Sequence, residues 1–291
     1  MKTIWITGAN GQLGSEIREL STSQTAHNFI FTDVNELDIT DYNAVASFVI
    51  KREIDALINC AAHTAVDSAE TETEKADAVN HLAVGHLARI VKENDLAFIH
   101  ISTDYVFDGR ASEPYKETDA PNPKSVYGRT KLDGENAILK LNPARTLIIR
   151  TSWMYSSYGS NFVKTMLRLG SEMEEIMVVD DQVGSPTYAR DLAKAVLAML
   201  PNLNAPNTEI YHYANTGKCT WCEFAEAIFD IAKIKVRTNP IPTTEYPTPA
   251  RRPTYSVLST EKIIRDFGIE IPEWKEALKK CLNRKKLKPT Q

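Results

Sequence analysis

Over the first two thirds of the chain, short apolar runs rich in β-branched and aromatic residues alternate with longer segments whose apolar positions recur every three or four residues. The runs at 3–7, 29–33, 56–59, 98–102, 146–150 and 176–179 are nearly continuous in apolar character. Strands buried on both faces of a parallel sheet read this way, because neither face is left to water. Between them, segment 76–93 places Val79, Leu82, Ala83, Leu87, Ile90 and Val91 on one helical face. Segment 125–141 also reads as a helix. Strand and helix in alternation predict an α/β fold, a doubly wound parallel sheet with right-handed crossovers.

Past residue 200 the texture changes. Seven of the 14 prolines fall between positions 201 and 253, where they separate shorter helical pieces. A smaller, irregular α/β lobe is expected there. The division is residues 1–150 for the sheet domain and 151–291 mainly for the second lobe, with some later segments returning to the sheet. Residues 284–288 hold four basic side chains and read as a frayed, solvated tail.

Composition narrows the classes. A chain of 291 residues with 43% hydrophobic and 25% charged residues builds a packed core and has room for two lobes. The 34 basic and 38 acidic residues give a net charge of −4 with no basic stripe, which argues against a nucleic-acid or membrane-surface partner. No run approaches the ~18 apolar residues of a membrane span, and the first residues lack the pattern of a secretory leader, so a cytoplasmic protein is expected. Cys60, Cys219, Cys222 and Cys281 are too scattered for a disulfide framework and read as reduced thiols. Cys219 and Cys222 have redox-motif spacing, but no strand leads into them, and Thr220 with Glu223 forms a capping box opening a helix over 221–232.

The first chemistry-bearing motif follows the first strand. Gly8, Gly11 and Gly14 are spaced G-x-x-G-x-x-G before a predicted helix, a variant of the dinucleotide fingerprint of Rossmann-type sheets. Glycines there permit a tight turn and close approach of a pyrophosphate, while the helix N-terminus offers unpaired N–H groups. Asp33 lies 19 residues after Gly14 at the end of the second strand, where a carboxylate accepts from an adenosine ribose. Its charge repels a 2′-phosphate, so NADH is favoured somewhat over NADPH. Asp38 and Ile39 either hold the adenine or, for Asp38, cap a helix. Both readings stand at this point.

Tyr127 and Lys131 are an i, i+4 pair on the 125–141 helix, which puts phenol and ammonium on one face. A phenol titrating near pH ~10 is a poor proton shuttle at neutral pH, and a neighbouring ammonium is expected to lower that value. Thr103 stands just past the fourth strand, at the sheet edge where ligands of this architecture bind. Its hydroxyl is placed to donate to a substrate carbonyl beside Tyr127.

TGANGQLG, NCAAHTAVDSAE, STDYVFDG, YGRTK and RTSWMY together resemble the extended short-chain dehydrogenase/reductase family, and within it the dTDP-4-dehydrorhamnose reductases. DQVGSPT at 181–187 and YPTPARRP at 246–253 extend the resemblance over nearly the whole chain. It implies that Gly11, Gln12 and Leu13 contact the cofactor, that Asp33, Asp38 and Ile39 meet its adenosine end, and that Ala62, His63 and Thr64 flank its middle. It implies Tyr127 as proton donor, Lys131 on the nicotinamide ribose, Thr103 and Asp104 on the sugar, and Trp153 packed on the deoxysugar ring. The implied reaction is hydride transfer from NADH or NADPH to C4 of a dTDP-4-keto-6-deoxyhexose, in the synthesis of dTDP-L-rhamnose for polysaccharides. A homodimer is compatible with the resemblance. Family members can dimerise around magnesium held by glutamates; Glu16 matches one such position, but Arg190 stands at the other and cannot be a ligand, which counts against a metal site.

Two alternatives compete. An epimerase or dehydratase would share the scaffold, although Tyr105 stands where the resemblance gives dehydratases a glutamate. A non-catalytic regulatory subunit like the methionine adenosyltransferase β-subunit would keep the dinucleotide fold alone; Thr103, Tyr127 and Lys131 favour catalysis. Both cofactor and substrate are anionic, so the glycine-turn N–H groups, Lys131, and Arg251 or Arg252 are expected to supply local positive potential.

Overall fold

In the computed structural model, which describes residues 1–284, six strands form one sheet with every neighbouring pair parallel. The first five are β1 (Lys2–Thr7), β2 (His27–Phe31), β3 (Ala56–Asn59), β4 (Ala97–Thr103) and β5 (Thr146–Thr151). Later strands are β6 (Glu175–Val179), β7 (Glu209–Tyr213) and β8 (Arg237–Ile241). The order across the sheet is β7-β5-β4-β3-β1-β2.

The run at 176–179 was expected in this sheet and is not there. It belongs to β6, which pairs with β8 in a separate two-stranded ribbon. Its burial alternates, with Met177 68% exposed, because β6 covers its lobe on one face only, whereas β5 is buried at every position. The sixth place in the sheet goes to β7, whose sequence Glu-Ile-Tyr-His-Tyr lacks a continuous apolar signature because it lies at the sheet edge.

Helices cover both faces. Those used below are α1 (Gln12–Ser21), α2 (Tyr42–Lys51), α3 (Ala83–Glu93), α4 (Val126–Leu141), α5 (Phe162–Glu172), α6 (Ala189–Met199), α7 (Trp221–Ala232) and α8 (Trp274–Leu282). On one face Ile4, Ile6 and Ile58 pack with Leu13 and Ile17 of α1 and Leu192 and Val196 of α6. On the other, Trp5, Leu57 and Phe98 pack with Val45 of α2, Leu87 of α3 and Ile138 of α4. A separate core around Tyr155, Tyr188, Phe224 and Trp274 builds the second lobe. Thus α6 and β7, from the second half of the chain, complete the sheet domain.

The helix expected over 76–93 is interrupted. A short α-helix (Thr73–Asp77) passes into a π-helical turn (Ala78–Leu82) and then into α3. The wider turn breaks the 3.6-residue register. Leu82, expected inward, is consequently 50% exposed, while Asn80 is fully buried.

Local signals at other helix starts are realised. Ser125 accepts from the Gly128 N–H at 3.1 Å to cap α4, and Thr220 and Glu223 form the capping box of α7. All four cysteines are free, and no described helix is long and apolar enough to cross a membrane. Arg284 is not part of a solvated tail: it pairs with Glu16 at 2.7 Å and with Glu19. The rest of that basic segment, 285–288, lies outside the described residues.

Candidate active site

A cavity of about 930 Å³ opens at the C-terminal ends of β1 to β5, the side on which open α/β sheets bind ligands. The loop after β1 contributes Gly8, Gly11, Gln12, Leu13 and Gly14, and the segment after β2 contributes Asp33, Asp38 and Ile39. Ala62, His63 and Thr64 follow β3, Thr103 and Asp104 end β4, Tyr127 and Lys131 project from α4, and Trp153 follows β5. The fold therefore brings every residue expected to contact cofactor or sugar to one cavity, while Arg251 and Arg252, expected to lend it positive potential, are not in its lining.

The glycine turn is built by close approach. Gly8 has φ +60°, and a Cβ there would stand 2.6 Å from the Ala61 nitrogen. A Cβ on Gly14 would stand 2.5 Å from the Gly8 carbonyl oxygen. Since α1 begins at Gln12, its first N–H groups have no intrahelical acceptor, and Gly11 at the cap position offers no side-chain hydrogen bond to them. Asp33 braces the turn, its Oδ2 accepting from the Asn10 N–H at 2.8 Å and its Oδ1 from the Val34 N–H at 2.8 Å. Asp38 accepts from the N–H and hydroxyl of Thr40 at 2.9 and 2.8 Å, which fixes a turn. The helix cap is Asp41, on the Ala44 N–H at 3.0 Å.

The Ala62 to Thr64 loop is held from behind. Buried Asn80 accepts from the His63 N–H at 2.8 Å, donates to the His63 carbonyl at 3.1 Å, and donates to the Thr130 hydroxyl at 3.2 Å. The His63 ring meets Glu72 at 3.3 Å.

Lys131 is 2% exposed and donates to the Ile101 carbonyl at 2.7 Å, with His100 Nε2 3.4 Å away. Burial lowers Lys131 to about 8. Tyr127 moves opposite to the sequence expectation: burial in the cavity wall pushes it up to about 12, with the Thr103 hydroxyl pulling the other way. The phenolate loses hydration there, and the lysine that was to stabilise it carries its own charge poorly. Thr103 donates to Asp104 Oδ1 at 3.1 Å and also accepts from the Tyr105 N–H at 3.2 Å. Asp104 is 2% exposed, burial pushes it up to about 6, and its Oδ2 has no hydrogen-bond partner among the described residues.

Trp153 has φ +45°, a conformation costing a non-glycine residue about 1–3 kcal/mol. A face-to-face stack on Trp221 holds it, with centroids 3.5 Å apart and planes at 7°. Trp221 is anchored in turn by Gln182 at 3.2 Å.

A family model described as the RmlD substrate binding domain matches residues 1–287. The chain belongs to this RmlD family. It is 41% identical over 288 residues to a dTDP-4-dehydrorhamnose reductase of Aggregatibacter actinomycetemcomitans, covering 96% of this chain and 98% of the relative. The crystal structure of a dTDP-4-dehydrorhamnose reductase from Clostridium acetobutylicum superposes with a TM-score of 0.92 at 44% identity, covering 97% of this chain and 98% of that one. The same enzyme from Bacillus anthracis, solved in complex with NADP, superposes with a TM-score of 0.92 at 39% identity over 97% of this chain and 99% of that one.

Within this RmlD-family chain, the Glu16 position is fully enclosed by its own cations. Glu16 Oε1 accepts from Ser156 at 2.7 Å and Arg284 at 3.0 Å, and Oε2 accepts from Arg190 at 3.0 Å and Arg284 at 2.7 Å. Arg252, one of two arginines expected to lend positive potential, is paired with Asp67 at 2.7 Å. Several site residues escaped the sequence reading. Asn80 carried one signal, a lone amide within an apolar helical face. Asn161, which donates to Gln12 at 3.0 Å, and Met154, whose carbonyl accepts from Gln12 at 3.4 Å, gave none, and Trp221 lay in the segment read only as a helix start. Such partners are distant in sequence and leave no local pattern.

Proposed function

We propose that this protein reduces the C4 ketone of dTDP-4-dehydro-L-rhamnose to dTDP-L-rhamnose with NADH or NADPH, supplying a deoxysugar for cell-surface polysaccharide. The observation that carries the reading is Tyr127 in the cavity wall, beside Thr103 and one turn before Lys131. A ketone reductase needs a proton donor at the carbonyl, and a phenol, protonated at neutral pH, gives its proton to the far more basic alkoxide that hydride transfer creates. When a ketone is bound, the single Thr103 hydroxyl proton turns from Asp104 Oδ1 to the same oxygen and orients it, and Asp104, through its unpartnered Oδ2, accepts from a sugar hydroxyl. Trp153 packs on the deoxysugar ring.

The residues present suit a nicotinamide dinucleotide. The glycine turn leaves a cradle that side chains would fill; Gly11, whose N–H is given to the Gly8 carbonyl at 3.1 Å, lets a pyrophosphate approach, and Gln12 and Leu13 offer it the N–H groups of the first turn of α1. Asp33, Asp38 and Ile39 hold the adenosine end, Ala62, His63 and Thr64 flank the middle, and Lys131 holds the nicotinamide ribose. The bound cofactor supplies hydride. Asp33, with its charge at the ribose, tilts the preference toward NADH. A divalent ion does not suit Glu16, because both its oxygens already accept from arginine; a dimer of this chain would be held by other contacts.

Oxidation of NADH or NADPH by the purified protein with dTDP-4-keto-6-deoxy-L-lyxo-hexose tests the reading, beside a Tyr127→Phe variant. Wild type turns over, and the variant loses activity by about 10²–10⁴-fold while still binding cofactor. Absence of oxidation with this sugar would leave the epimerase or regulatory-subunit alternatives; undiminished activity in the variant would remove Tyr127 as the acid.

A further inference from the structure

Behind Lys131, a line of buried polar groups runs through the sheet from Thr7 to Asn59 to His100. Asn59 and His100 are both fully buried. Asn59 Oδ1 accepts from the Ala61 N–H at 3.2 Å and from the Thr7 hydroxyl at 2.6 Å. The Ala61 N–H can only donate, so it fixes which end of the amide is oxygen. Asn59 Nδ2 therefore faces His100, and His100 Nδ1, 3.0 Å away, must accept from it. Burial, then Lys131, hold His100 well below its ordinary pKa, so the ring is neutral and carries one proton. With Nδ1 accepting, that proton sits on Nε2. It then points at the Lys131 nitrogen, 3.4 Å away.

Two donors facing each other oppose, whereas a neutral amine accepts from Nε2–H. We propose that His100 is a positioning residue that sets the proton balance of Lys131: its Nε2–H disfavours the ammonium and welcomes the neutral amine. The other titratable groups acting on Lys131 are Glu135, one turn further along α4 and itself bound by Arg150, and Cys60 after β3; both favour the ammonium, and burial outweighs them. The inference rests on the proposed role of Tyr127. When Tyr127 gives its proton to the new alkoxide, the O–H bond of the phenol breaks and that of the product forms, leaving a phenolate. Lys131 then restores that proton, losing an N–H bond and becoming the amine that His100 accommodates, and the amine takes up one proton from buffered solvent, the proton that each reduction consumes beside the hydride. A lysine with an ordinary pKa would release its proton far less readily.

The direct test is the tautomer. In protein labelled with ¹⁵N and ¹³C at histidine, the His100 signals, assigned by their loss in a His100→Gln variant, should report a neutral ring protonated at Nε2 at pH 7. A ring protonated at Nδ1, or an imidazolium, would overturn the proposal without touching the reductase reading. The second test measures NADH affinity from pH 6 to 10 in wild type, His100→Gln and Asn59→Asp. The glutamine can turn its oxygen to Lys131, and the aspartate accepts from Nδ1 and moves the ring proton off Nε2, so both should shift the alkaline loss of affinity upward by about one pH unit. Altered stability with an unmoved profile in a folded variant would mark His100 as merely structural and overturn the proposal. Should neither variant fold, wild-type signals assigned through contacts to Asn59 and Lys131 decide the question alone.

Discussion

Asn80 grips the His63 peptide from both sides, its Oδ1 on the N–H at 2.8 Å and its Nδ2 on the carbonyl at 3.1 Å. It lies on the π-helical turn and also meets Thr130 on α4, so one amide ties the 62–64 loop to the element carrying Tyr127. Replacing it with Ala leaves two loop groups unpaired, each costing about 1–3 kcal/mol where buried. Asn80→Ala should weaken NADH binding about tenfold or more, read by fluorescence titration, and lower the thermal midpoint. Unchanged affinity would make the grip irrelevant to the cofactor.

Asp33 faces the cofactor preference most directly. Its carboxylate is tied to Asn10 and Val34, so its charge is held in place at the end of β2. Asp33→Ala should reduce discrimination against NADPH, measured as the ratio of kcat/KM for the two cofactors, and loosen the glycine turn. An unchanged ratio would refute its part in selection.

Beneath the cavity, Arg150 is 2% exposed and doubly bonded to Glu135, Nη2 to Oε2 at 2.6 Å and Nε to Oε1 at 3.0 Å. Ser102 donates to the same carboxylate. This ties β4 and β5 to α4. Glu135→Ala strands a buried guanidinium and should cost about 3–5 kcal/mol in urea unfolding. A loss below about 1 kcal/mol would show that water reaches Arg150.

Acid should weaken the cofactor-free protein. His212, fully buried and donating from Nδ1 to the Tyr115 carbonyl at 3.1 Å, is lowered to about 3, first by burial and then by Arg150. A base whose folded pKa lies below its unfolded value contributes fully above the unfolded value near 6.5 and loses that contribution as pH falls toward 3. The span corresponds to roughly 5 kcal/mol. His100 acts in the same sense; Asp104, pushed up to about 6, acts oppositely between its ordinary range and that value. Urea midpoints should therefore fall from pH 6.5 to 4, and less steeply in His212→Asn. A flat wild-type profile would contradict this.

The sequence showed β1 to β5 to within two residues because strands buried on both faces must be apolar throughout. It also showed the glycine turn and the Tyr127 and Lys131 pair, since those chemistries depend on short fixed spacings. The edge strand β7 escaped because burial does not demand continuous apolarity there, and Leu82 was misplaced because nothing local announces a π turn. The Asn59 and His100 arrangement and the Trp153 stack on Trp221 arise from residues 41 and 68 positions apart, which only the fold brings together.

The late arrival of β7 has a consequence for how the chain is made. Until residue 213 exists, β5 presents a bare row of backbone donors and acceptors, and α6 has only just come to cover Ile4 and Ile6. A nascent chain leaving the ribosome must therefore spin out residues 152–208 before its nucleotide half can close. Cutting the protein in two near residue 150 would yield no independent cofactor module, only a sheet with an open flank.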